Sequence, residues 1–259
     1  MNLDYLKSPG SSRRVFLHEK NAVQYLNEDA PQAVRMACVQ CQVCTHDGIL
    51  KIAMEEGERD LWELFAEFTL TIRETVQICI AAFRLLSCIQ GYAHHGDCKA
   101  DNIVLIKCAQ KPEGCVYILF RSEYYKIAFI DFETLYTFES ACTKLDASYY
   151  GTVSGCGFYG RRPLENMRKT SPAIIHQSDV YTLVSSLLLF CIPNQPKYRE
   201  IRDILYGYIN FTILEVTDTR PRFLGDKYNL YVHDNTCDYK FADARSIAED
   251  LTRHFAGSL

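Results

Sequence analysis

The run His95-Gly96-Asp97-Cys98-Lys99-Ala100-Asp101-Asn102, leading straight into the apolar stretch Ile103-Val104-Leu105-Ile106, constrains this chain more than any other feature. It sets an acid, a lysine and an amide at spacings that suit holding a nucleotide phosphate and a metal beside an acceptor hydroxyl. Phosphoryl transfer needs little covalent help from protein, so the work falls to positioning and to charge neutralisation by metal ions and cationic side chains. Asp97 can accept the acceptor's proton, Lys99 can reach the moving phosphoryl group, and the Asn102 side-chain oxygen is a hard ligand for Mg²⁺. A second metal ligand is then expected nearby. Asp131-Phe132-Glu133 follows the apolar strand Lys126-Ile127-Ala128-Phe129-Ile130, which delivers Asp131 to the same cleft.

H-x-D-x-K-x-x-N, then a strand and D-F-x, resembles the protein-kinase signature set. The resemblance implies that Asp97 is the catalytic aspartate, that Lys99 offsets charge on the γ-phosphate, and that Asn102 and Asp131 are the metal ligands. It also implies ATP and Mg²⁺ as cofactors. Gly96 stands where the family usually has an arginine that contacts a phosphorylated activation loop. Glu133 stands where D-F-G has its glycine, without that residue's backbone freedom.

A chain of 259 residues, 48% hydrophobic, can bury a sizeable core as one domain or as one domain of two lobes. The net charge of −4 argues against a general nucleic-acid binder. No unbroken apolar run reaches the roughly 18 residues of a membrane span, and the N-terminus does not read as a secretory signal. The expected location is cytoplasmic or nuclear, not secreted. The 12 cysteines fit reduced thiols within apolar segments. Cys38, Cys41 and Cys44, with His46 close by, lack the second knuckle of a zinc site, so a cysteine-rich strand is expected there.

Residues 1–14 read as a strand end and a turn, and Val15 to Leu26 has helical apolar spacing. Kinases pair a strand lysine that holds the nucleotide phosphates with a glutamate on the following helix. The resemblance points to Lys7 and Glu19 for these roles. The family's glycine-rich loop precedes that lysine. With Lys7 so near residue 1, the expectation is a truncated kinase-like domain, or another segment or partner that lids the nucleotide. Residues 34–54 alternate as paired strands across Thr45-His46-Asp47-Gly48. Glu55 to Leu64 resembles the hinge and first helix of the larger lobe, where backbone groups at Glu55 to Gly57 meet an adenine edge.

Thr71 and Glu74 are spaced as a capping box on a long helix running to His94. Lys111-Pro112-Glu113-Gly114 is the turn expected between Asn102 and Asp131. Residues 134–162 occupy the activation-segment position, with Tyr149, Tyr150, Thr152 and Ser154 as candidate phosphorylation sites. Arg161 to Glu165 resembles A-P-E, and Arg220 resembles its ion-pair partner. Ser178-Asp179-Val180 resembles the start of a central buried helix whose aspartate holds the H-x-D backbone. Residues 243–251 read as a closing helix.

The fold class expected is α+β: a protein-kinase-like two-lobe fold with a reduced small lobe over 1–54 and a mainly helical large lobe over 55–259. The function implied is a Ser/Thr-type protein kinase acting on protein substrates. The alternative is a pseudokinase that serves as a binding module or decoy for a partner kinase or its substrate. Phosphotransfer to a small molecule ranks behind both. Neither nucleic acid nor membrane is expected as a partner.

Overall fold

The described residues form three antiparallel sheets, and the loop at 95–102 leads directly into the four-stranded one. The computed structural model describes residues 5–7, 13–46, 49–132, 135–137, 179–180, 182–208 and 243–257. Among these, the elements form a mixed α/β set of sheets and helices.

The first sheet has the order β1-β3-β2, with β1 Tyr5–Lys7, β2 Cys41–His46 and β3 Ile49–Met54. Helix α1 (Arg13–Glu28) carries buried residues at 16, 19, 22, 23 and 26, a stripe of helical period. It rests on β2, where Asn27 Nδ2 donates to Cys41 O at 2.8 Å.

The expectation of paired strands over 34–54 holds only from Cys41. Residues Gln32–Ala37 form a short helix, α2. Pro31 pre-sets its start, and Val34 and Ala37, one turn apart, are both buried, so the apparent alternation is also an i, i+3 pattern. Beyond α2, Val39 N–H donates to Phe129 O at 3.0 Å, which ties this segment to the second sheet.

That second sheet has the order β4-β6-β8-β7: β4 Arg59–Asp60, β6 Ile103–Cys108, β7 Tyr117–Phe120 and β8 Glu123–Phe129. Its spine is the β6–β8 pairing, in register from Ile103 opposite Phe129 to Cys108 opposite Tyr124. The turn expected at 111–114 is present as a loop, yet the tight hairpin is elsewhere. It joins β7 to β8 across Arg121 and Ser122, whose φ values of 50° and 68° give a left-handed two-residue turn without glycine.

Helix α3 (Leu61–Glu67) begins with Asp60 and Glu63 capping each other. Helix α4 (Ile72–Ile89) begins with the Thr71–Glu74 capping box. It stops five residues before His94. Gly91, at φ 91°, takes the left-handed position that ends helices, and Ala93–His94 becomes a short strand, β5, paired with β9 (Tyr136–Thr137). Buried helical residues at 179–180 and 182–186 continue as a π-helix, Leu187–Cys191. Two further helices, α5 (Arg199–Tyr206) and α6 (Ala244–His254, capped by Asp243), complete the described chain, with α6 packed on α4.

Gly57 sits where β3 passes to β4, with its Cα against β6. A Cβ there would lie 2.7 Å from Val104 Cβ, an atom fixed to the strand backbone. Gly57→Ala is therefore expected to lose about 1–3 kcal/mol of stability in urea unfolding. An unchanged midpoint would contradict this close packing.

Candidate active site

The loop after β5 hangs on one buried carboxylate. Asp179, fully buried, accepts the His95 N–H at 2.8 Å through Oδ2 and the Gly96 N–H at 3.0 Å through Oδ1. His94 Nδ1 lies 3.0 Å from the same Oδ2. Burial pulls the Asp179 pKa up, but the two histidines and the backbone N–H outweigh it, and the carboxyl is held below its ordinary value. Gly96 has φ 83°, a left-handed conformation that an arginine at this position would adopt only under strain.

His95 fixes the next step. Its Nε2 lies 2.8 Å from Ile130 O, a carbonyl, so Nε2 carries the proton and Nδ1 accepts the Asp97 N–H at 3.4 Å. The ring leans on Phe129 and Phe132. Ile130 N–H in turn donates to Asn102 O at 3.0 Å. Two ties, one through the His95 side chain and one between backbones, thus hold the loop and the end of β8 in one frame, and Asp131 is the next residue after Ile130.

Within the loop, Asn102 Nδ2 donates to Asp97 O at 2.8 Å and to Asp97 Oδ2 at 3.0 Å. Lys99 Nζ is 3.3 Å from Asp97 Oδ2 and 3.2 Å from Asp101 Oδ2. Asp97 Oδ1 is buried and has no hydrogen-bond partner among the described residues. Burial pushes the Asp97 carboxyl above its ordinary value despite Lys99. Burial also opposes the charge on Lys99, but the two carboxylates prevail and raise its pKa. Asp97, Lys99 and Asn102 are in direct contact, while Asp131 is placed by the backbone. Asp131 has φ 61°, left-handed for a non-glycine residue, a conformation that costs on the order of 1–3 kcal/mol and clusters at functional sites.

The remaining candidates belong to other segments of the chain. Lys7 closes β1, opposite Ile52 of β3, and its side chain is outside the described residues. Glu19 on α1 is 1% exposed, and its carboxylate adds to the burial that pushes the Cys41 thiol up to about 12. Glu55 has its N–H taken by Gln40 O at 2.7 Å and its carboxylate by Lys126 Nζ at 3.2 Å. For Gly57 the structure supplies a packing reason. Glu133, Tyr149, Tyr150, Thr152, Ser154, Glu165 and Arg220 lie outside the described residues.

Among the described residues, no three His, Cys, Asp or Glu side chains come together as metal ligands, Cys38, Cys41 and Cys44 included. No described helix is long and apolar enough to cross a membrane. His94 and Ser186, both in contact with this frame, are buried polar residues that no motif flagged.

No family model matches this chain. No curated protein matches it either. Among solved structures, a chain described as "WaaP in complex with acyl carrier protein" is similar at 16% identity and a TM-score of 0.40, over 74% of this chain and 66% of that one. The match thus spans a little under two thirds of that chain's length.

The raised Asp97 pKa means that the folded protein binds this proton more tightly than the unfolded chain. Its contribution to stability therefore falls as pH rises from the ordinary value of 3.8 through the folded value, and stays low above it. Asp97→Asn is expected to unfold at higher denaturant than the native chain at neutral pH, with the gap closing as pH falls toward 3.8. A less stable variant at neutral pH would contradict the burial account.

Proposed function

We propose that this chain is a protein-kinase-like phosphotransferase that moves the γ-phosphate of ATP to Ser or Thr hydroxyls of a protein substrate. The observation that carries the reading is the Asp97 carboxylate. One oxygen is fixed by Asn102 and Lys99, and the other is buried without a partner among the described residues. A buried acceptor of this kind suits an incoming hydroxyl, and its raised pKa makes it a better base than an exposed aspartate.

In this reading the acceptor O–H gives its proton to Asp97 Oδ1 as the oxygen attacks phosphorus, and the bond from phosphorus to the departing nucleotide oxygen breaks. The Lys99 ammonium offsets charge on the moving phosphoryl group. With Nδ2 committed to Asp97, Asn102 would turn its Oδ1 to Mg²⁺, and the Asp131 carboxylate would complete the protein's share of ligands. Two oxygen donors from protein and the rest from phosphate and water suit that ion. When bound, Mg²⁺ supplies neutralisation of phosphate charge. Lys7 and Glu19 form the phosphate-anchoring pair. The position of Glu19, buried on the helix that follows the strand of Lys7, supports this. The carbonyl of Glu55 and the backbone at Gly57 meet the adenine edge. Lys99 beside the aspartate resembles Ser/Thr rather than tyrosine kinases. Residues 1–54 make the reduced small lobe and 55–259 the large lobe.

The test is Mg²⁺-dependent transfer of phosphate from ATP to the protein itself and to a generic protein substrate. Asp97→Asn is expected to lower the rate by about 10²–10⁴-fold while the fold survives. Equal transfer by both proteins would remove Asp97 from its role. Absence of transfer in the native chain would favour a pseudokinase that binds a partner kinase or its substrate.

A further inference from the structure

Ala100 opens the 3₁₀ turn Ala100–Asn102, so no carbonyl within that turn can accept its N–H. The residue is 1% exposed, and water does not replace the missing acceptor. A buried N–H without a partner costs the full desolvation of the group. The acceptor comes from 86 positions along the chain: Ser186 Oγ lies 2.9 Å from Ala100 N, and the bond is buried.

The surroundings of Ser186 hold that oxygen in place. The residue is 2% exposed and immediately precedes the π-helix Leu187–Cys191. The wider π turn rotates the following side chains relative to those before it, and such turns recur at functional sites. Buried Arg202 on α5 clamps its end, donating to Leu188 O at 2.8 Å and to Ile192 O. Ser185, one residue earlier, contrasts with it. Its Oγ is equally buried and has no hydrogen-bond partner among the described residues. Burial of a hydroxyl in this helix therefore does not by itself bring a bond, and the Ser186 contact is specific to the loop.

We propose that Ser186 is a positioning residue for the loop. By accepting the Ala100 N–H it fixes the turn between Lys99 and Asn102, and so the placement of the ammonium and the amide about Asp97. Asp179 secures the same loop from its other end, at His95 and Gly96. The loop is thus pinned on both sides of Asp97 by one buried helical segment. The catalytic consequence rests on the phosphotransfer reading, whereas the anchor itself does not.

The test uses Ser186→Ala in the full chain. Hydrogen exchange of the Ala100 amide is expected to accelerate by about tenfold or more. The turnover number is expected to fall by about tenfold while KM for ATP stays within about twofold and the fold remains cooperative. Replacing the Ala100 amide by an ester, with lactate at position 100, removes the donor without changing shape. In that background Ser186→Ala is expected to change turnover no further. Unchanged exchange at Ala100 overturns the anchor. An equal loss of turnover in the amide and ester backgrounds overturns the positioning role. A native chain without transfer removes the phosphotransfer reading and the positioning role with it, while the exchange measurement still decides the anchor.

Discussion

A buried carboxylate that receives two consecutive backbone N–H groups is the contact on which the site depends. Asp179 binds His95 and Gly96 from a helical segment more than eighty residues away in sequence. Charged acceptors of this kind make the stronger hydrogen bonds, and removing one partner from a buried pair leaves a costly unpaired group. The contact with His94 favours the carboxylate form of Asp179 where burial alone would neutralise the acid. Everything downstream inherits this anchor, because the next residue is Asp97.

The frame then propagates through the His95 side chain and through backbone contacts. His95 reaches Ile130 O, Ile130 reaches Asn102 O, and the β6–β8 register begins one residue further on, at Ile103 and Phe129. Asp131 is carried along at the end of β8 in a left-handed conformation. Strain at such a position persists only where the surroundings over-determine it. Here the preceding residue, Ile130, is fixed through both its N–H and its carbonyl.

Local rules made much of this legible. The Thr71–Glu74 capping box, the apolar stripe of α1 and the strand that follows the loop are set by short-range chemistry that a sequence displays directly. The motif set Asp97, Lys99 and Asn102 in one short loop, and the structure adds that Asp97 contacts both of the others. What escaped were features decided by tertiary context or by backbone conformation. Helix α2 shares its pattern with a strand over so few residues. The β7–β8 turn uses Arg121 and Ser122 where glycine or asparagine would have signalled it. Glu55 finds Lys126 across 71 positions, and Ala100 finds Ser186 across 86. A serine in an apolar helix carries no sign of the distant N–H it serves.

The most direct test of the account is where a metal nucleotide sits. Crystals of the full chain with a non-hydrolysable ATP analogue and Mn²⁺ in place of Mg²⁺ would locate the ion by its anomalous scattering. The account predicts a peak in contact with both Asn102 Oδ1 and the Asp131 carboxylate, with the terminal phosphate directed toward Lys99. A bound nucleotide whose metal touches neither residue would contradict it, as would the absence of nucleotide binding at saturating concentration.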